Sequence, residues 1–278
     1  MKNILVPTDF SNEAGFALDF AVQLASKTNG KVHVLNVVEI PINAAADPMG
    51  APIIQDWGSD FTKSIKESNQ EKLDGILGKY QNIDGIVEIG IMLDSTLEFI
   101  EGNDIDLVVM GTKGATGLKE IFVGSNAEKV VRYAHCPVIT LAYAANVEAI
   151  EEIVFGLDLG GNKKKVIAQL KKLQKALDLT IHFVHINTPH VILNQDETIT
   201  KMREFALENE FEDYTVNVRR NTMPDTGIIE FAKEMSADMI AMASNRRKGL
   251  AHFFKGSLAE DIVNHSPMPV WTISIKDE

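Results

Sequence analysis

One cysteine, two tryptophans and four tyrosines in 278 residues exclude several kinds of protein at once. With Cys136 alone no internal disulfide can form, so the fold must rest on packing, and a reducing compartment is expected. Apolar runs are short. None approaches the roughly 20 residues of a membrane-spanning helix. The opening MKNILVPTDF enters an apolar strand without a signal-peptide pattern. A cytoplasmic protein with no membrane partner is the expectation. Positive charge is scarce as well. The 27 Lys and Arg against 39 Asp and Glu leave a net charge of −12, a surface that repels nucleic acid. No Gly-x4-Gly-Lys-Ser/Thr loop, no His-Glu-x2-His and no Cys/His ligand spacing occurs. His182 and His185, three apart on an apolar run, face opposite sides of a strand and cannot share a metal. No Ser-His-Asp or Cys-His constellation can be placed from spacing, so no catalytic residue is assigned.

What is present is an alternation of short apolar runs and helical patterns. Residues 3–6 read as a strand that Pro7, lacking an N–H, brings to an end. Ser11 is a suitable N-cap for a helix on which Phe16, Phe20 and Leu24 recur every four residues, and Gly30 is its expected stop. Residues 31–38 form a second strand, so the two should be parallel. Residues 39–60, broken by Pro41, Pro48 and Pro52, read as a long loop. A helix over 61–80, a strand over 86–92, a helix from Ser95 or Thr96, a strand over 107–110, a helix over 126–133 and a strand over 137–141 complete five strands and four helices. This is a doubly wound α/β pattern.

Residues 106–131 form the chemical centre of that pattern. The buried run Leu107-Val108-Val109-Met110 stops at Gly111, and Gly114, Gly117, Gly124 and Ser125 lead into a helix. Glycines let main chain approach a ligand, and the free N–H groups at a helix start favour an anion. The passage reads as a phosphate cradle. A second glycine run, Gly156-x3-Gly160-Gly161-Asn162-Lys163, lacks Gly-Lys-Ser/Thr and reads as a solvated helix start.

The pattern then restarts. Ile153 to Asp158 echo Ile4 to Asp9, and Ile181 to Val184 echo Val32 to Leu35, both at an offset of 149. Later the offset is 132: Phe231 matches Phe99, Asp238 matches Asp106, and Gly256-Ser257 match Gly124-Ser125. Cys136 then aligns with Met268, which favours packing over reactivity. The chain is an internal duplication, with most of the lost length expected from the loop at 39–60.

The spacing Gly111-x2-Gly114-x9-Gly124-Ser125 resembles the nucleotide-binding signature of the universal stress protein family, Gly-x2-Gly-x9-Gly-Ser/Thr. With the duplication, the whole chain resembles the tandem type of that family. The resemblance implies two repeated Rossmann-like domains, each a five-stranded parallel sheet with helices on both faces. The first, 1–145, carries the complete motif and the second, 150–278, is degenerate. It implies an intramolecular pseudo-two-fold pair in which the last strands of the two halves meet. It implies ATP, with magnesium left open, at the carboxyl ends of strands one and four. Pro7, Thr8 and Asp9 would meet ribose or base, and Val37 and Val38 would wall the adenine. Met110, Gly111, Gly114, Gly124, Ser125 and Asn126 would meet the phosphates.

The second half departs from this motif. Ala243 replaces the first glycine and Arg246 the second, so ATP is not expected there. The function implied is a nucleotide-binding stress-response or regulatory protein with an unknown protein partner. Its enzymatic activity is at most slow hydrolysis or self-phosphorylation, since no general base is placed for an attacking water. Two alternatives stand beside it. One is a partner-binding scaffold without nucleotide. The other is an adenylate-handling enzyme of the related nucleotide α-hydrolase superfamily, whose His-x-Gly-His and Ser-Gly-Gly-x-Asp-Ser strings do not occur.

Overall fold

A computed structural model describes residues 1–39, 45–46, 52–53, 59–112, 124–160, 164–189, 193–246 and 258–276. The first half runs β1 (Asn3–Pro7), α1 (Asn12–Thr28), β2 (Lys31–Val38), the two-residue strands β3 (Ala45–Ala46) and β4 (Pro52–Ile53), α2 (Ser59–Leu77), β5 (Ile83–Ile89), α3 (Met92–Gly102), β6 (Leu107–Gly111), α4 (Ser125–Tyr133) and β7 (Val138–Leu141). The second runs β8 (Glu152–Gly156), α5 (Lys164–Leu177), β9 (Thr180–Asn187), α6 (Gln195–Glu208), β10 (Tyr214–Arg220), α7 (Pro224–Glu234), β11 (Met239–Arg246), α8 (Leu258–His265) and β12 (Val270–Lys276).

Each half contributes five parallel strands in the order 5-2-1-6-7 or 10-9-8-11-12. The two sets do not form separate sheets. β7 and β12 pair antiparallel, with Thr140 opposite Val270, Ile139 opposite Trp271 and Val138 opposite Thr272, and so join all ten strands. The junction has an approximate two-fold axis. Thr140 Oγ1 donates to Val270 O at 3.4 Å, and Thr272 Oγ1 donates to Val138 O at 3.3 Å. These hydroxyls are buried, and each finds its acceptor in the other half.

The helices divide between the two faces. α1, α2, α5 and α6 cover one face over a single apolar core that runs from Val87 to Val218. On the other face α3 and α4 cover one core and α7 and α8 another. The duplication is visible in hydrogen bonds too. Asp106, just before β6, accepts from Lys2 N at 2.7 Å and Asn3 N at 3.3 Å. Asp238, just before β11, accepts from Glu151 N at 2.9 Å and Glu152 N at 3.0 Å. Each carboxylate ties the entry of strand four to the entry of strand one.

Several boundaries differ from expectation. The stop of α1 is Asn29, left-handed at φ 49°, and not Gly30, whose bareness instead clears Met1 O, 2.8 Å from where a Cβ would stand. The third strand lies at Ile83–Ile89, three residues early, and α3 starts at Met92 rather than at Ser95 or Thr96. A distant carboxylate explains that start: Glu39 Oε1 accepts from Met92 N at 2.8 Å, in place of a local hydroxyl cap. The connection after β2 spans 39–58 and its counterpart after β9 only 188–194, which accounts for most of the change in offset.

Trp271 is fully buried at the junction, with Nε1 unpaired. Trp271→Ala should therefore cost about 3–5 kcal/mol in urea unfolding. Trp271→Phe, which removes the unpaired N–H while keeping a ring, should cost clearly less. Equal losses would show that the indole N–H is satisfied in solution.

Candidate functional site

The carboxyl ends of β1, β2 and β6 lie side by side, because β1 pairs with β2 on one side and β6 on the other. This is where the strand order reverses and where an open α/β sheet leaves a crevice. Pro7 ends β1 and Thr8 and Asp9 follow it, Val37 and Val38 end β2, and Met110 and Gly111 end β6.

The turn after β1 is held by its own side chains. Phe10 N donates to Thr8 Oγ1 at 3.1 Å and Ser11 N to Asp9 Oδ1 at 3.0 Å. Between them Phe10 takes a left-handed φ of 63°. Ser11 then caps α1 by accepting from Ala14 N at 3.2 Å. Asp9 thus has the turn-forming role of its residue type.

β1 and β2 part company at one carbonyl. The last main-chain bond between them is Thr8 N to Leu35 O at 2.9 Å. Leu35 therefore points its main-chain polar groups toward β1, and so by alternation does Val37. A continued ladder would offer Thr8 O to Val37 N–H. Asn36 Nδ2 takes that carbonyl instead, at 2.8 Å. The main-chain edge of Val37 then faces the side where β1 has already turned into its loop. The side chains of Val37 and Val38 pack against cores on opposite faces of the sheet, so they do not form one wall. Sequence reasoning missed Asn36. A polar residue inside the run VHVLNVV was the available signal, and His185 repeats it at the 149 offset.

β6 supplies main chain rather than side chain. Met110 is buried in the core under α3 and α4. A Cβ on Gly111 would stand 2.7–2.9 Å from the main chain and Cβ of Glu13, so the glycine admits the first turn of α1 against the strand end. Thr112 N then donates to Leu141 O, and Gly124 N donates to Thr112 O, which brings both ends of the segment 113–123 together. Gly114 lies outside the described residues. Gly124, and not Ser125, is the N-cap of α4, at φ −57°. Ser125 is exposed and Asn126 half-buried at the first turn of that helix. Burial raises the Glu128 carboxyl above its ordinary value of 4.5, and the charge of Glu260, its equivalent on α8, raises it further. Burial likewise pushes the Cys136 thiol up to about 12.

The second half repeats the first turn but not the second. Gly160 N donates to Asp158 Oδ1 at 3.1 Å, and Leu157 N to Val184 O at 2.8 Å. β11, however, does not leave the sheet where β6 does. It stays paired with β12 through Ser244, Asn245 and Arg246, three positions past the equivalent of Gly111. His182 and His185 point to different partners, as their spacing requires. His182 lies between Glu152 and Thr215, at 3.0 and 2.9 Å, while His185 Nδ1 lies 3.1 Å from Leu157 O.

A duplicated, doubly wound chain of this kind, with its two halves joined strand to strand, defines a tandem Rossmann-like α/β fold. Within it, a Universal stress protein family profile matches residues 1–141 and again 149–274. The chain belongs to the universal stress protein family and contains two of its domains in tandem. Universal stress protein Slr1230 of Synechocystis sp. is 23% identical over 98% of this chain and 99% of its own length. Universal stress protein MJ0531 of Methanocaldococcus jannaschii is 32% identical over 50% of this chain and 81% of its own. A universal stress protein crystal structure from Archaeoglobus fulgidus superposes with a TM-score of 0.76 at 19% identity, covering 98% of both chains. Among the described residues no helix is long and apolar enough to cross a membrane.

Gly111→Ala should destabilise the chain by about 1–3 kcal/mol in chemical unfolding, because the added methyl meets main chain and not a flexible side-chain end. Glu128 gives a pH test. A carboxyl with a raised folded-state pKa favours folding below 4.5 and costs stability as pH rises through the raised value. Glu128→Gln should therefore raise the unfolding temperature at neutral pH, with the gain closing as pH falls toward 4.5.

Proposed function

We propose that the first half, 1–145, binds an adenine nucleotide, ATP, at the carboxyl ends of β1, β2 and β6. On this reading the chain is a cytoplasmic stress-response or regulatory protein that uses the nucleotide as a ligand rather than as a fast substrate. The observation that carries the reading is the parting of β1 and β2. Asn36 takes the Thr8 carbonyl, and the main-chain edge of Val37 is left facing the loop side. A main-chain N–H and C=O pair outside the β1 ladder on one strand edge is suited to the edge of a purine. The passage from Gly111 to Gly124 supports the other end of the ligand. Its ends are tied together by the Thr112–Gly124 bond, and the first turn of α4, with Ser125 and Asn126, follows at once. A helix start of that kind favours phosphate. Pro7, Thr8 and Asp9 would line the ribose side, and Met110, Gly111, Gly114 and Gly124 would contribute main chain.

In the second half, 150–278, β11 remains in its ladder through Arg246, so the main chain needed for a phosphate cradle is committed to β12. That half is read as degenerate toward ATP, and as a structural or regulatory partner of the first.

Calorimetry with Mg-ATP tests the reading. One site per chain is expected, lost in Gly114→Arg, which copies Arg246 of the second half. Two sites in the wild type would overturn the reading of the second half. Absence of binding would put the partner-binding scaffold in front.

A further inference from the structure

Among the described residues, three buried side-chain polar atoms have no hydrogen-bond partner: Asn36 Oδ1, His185 Nε2 and Trp271 Nε1. The first two occupy equivalent positions, 149 residues apart. They also share their other bond. Asn36 Nδ2 donates to Thr8 O at 2.8 Å, and His185 Nδ1 lies 3.1 Å from Leu157 O, the equivalent carbonyl. A carbonyl only accepts, so it fixes the orientation of each side chain. The Asn36 amide cannot turn over without losing its bond, and the tautomer of His185 that this carbonyl selects has its hydrogen on Nδ1 and leaves Nε2 as the acceptor. Each half therefore holds one buried acceptor at the carboxyl end of its second strand, made from a different residue type. A buried acceptor left unpaired bears the full cost of its lost hydration. Its recurrence in two diverged copies points to a donor that arrives from outside the chain.

The rest of that end of the crevice is also duplicated. The bonds Thr8 N to Leu35 O and Leu157 N to Val184 O are equivalent, so the main chain of Ile186 faces the β8 side as Val37 faces β1. The Asp9 and Asp158 turns match, at 3.0 and 3.1 Å. What the second half has lost is the other end, where β11 stays paired through Arg246.

We propose that the second half binds a nucleoside rather than a nucleoside polyphosphate, through a base whose exocyclic amine donates to His185 Nε2. The inference rests on the nucleotide reading of the first half, where Asn36 Oδ1 would accept from the same kind of amine. A fixed acceptor prefers adenine, which presents an amine, over hypoxanthine, which presents a carbonyl at the same position.

Adenosine is titrated by calorimetry into the full chain, alone and after saturation with Mg-ATP, and inosine is titrated in parallel. One adenosine per ATP-saturated chain is expected, with inosine at least about tenfold weaker. His185→Leu should weaken that adenosine site by about tenfold or more while leaving ATP binding unchanged. His185→Asn, which copies the first half, should keep it within a few-fold. The base comparison needs no variant, so a Leu protein that fails to fold leaves the test intact. No adenosine on the ATP-saturated chain, equal binding of inosine, or a site indifferent to His185→Leu would overturn the inference and assign Nε2 to an ordered water only. Adenosine that binds and depends on His185 in a chain that binds no ATP would instead overturn the reading of the first half and leave this site standing.

Discussion

Three facing residue pairs between β7 and β12 hold ten strands in one sheet. Without them each half would end in an edge strand that is largely apolar and buried, Val138 to Leu141 in one case and a strand carrying Trp271 in the other. Such an edge is a site of uncontrolled pairing. Joining the two edges buries both and satisfies the hydroxyls of Thr140 and Thr272 in the same act. The long core beneath α1, α2, α5 and α6 follows from that junction, because it can run unbroken only if the sheet beneath it does. On the opposite face α3 with α4 and α7 with α8 cover separate cores, each sufficient for its own half.

The two halves share a frame and differ in how long their strands stay paired. In both, strand one leaves strand two at the same carbonyl, under a side chain donor that replaces the next ladder bond. At strand four they diverge. β6 ends at Gly111, and Gly124 N donates to Thr112 O, whereas β11 continues beside β12 to Arg246. Main chain can serve a ladder or a ligand but not both with the same groups. The difference in strand length is therefore a difference in how much strand-four main chain each half leaves outside the ladder.

Much of this was legible from periodicity. β1, α1 and β2 follow from an apolar run, a four-residue repeat and a second run, because each buries one predictable face. The duplication was legible from Asp106 and Asp238, whose positions are set by the same pair of main-chain donors in each half. Features set by distant partners were not legible. α3 begins at Met92 because Glu39 reaches it from another loop, and no local rule contains that contact. Asn29 stops α1 in place of Gly30 because an asparagine tolerates the left-handed conformation, which left the glycine for a close approach to Met1. In the candidate site the glycines of the motif were visible, but the residue that parts the strands was not. Asn36 reads as a polar break in a strand until its partner, the Thr8 carbonyl, is known.

The β7–β12 junction also decides which halves meet. Two unlike domains on separate chains and meeting through this edge would sort into three species, two of like pairs and one of unlike. On a single chain the unlike pair is the one formed first, since its partner is always within reach. Every molecule then carries one copy of each version of the crevice, in a fixed one-to-one ratio that does not change with concentration. Duplication in one chain thus does more than double a fold: it sets a stoichiometry that free association would have left to chance.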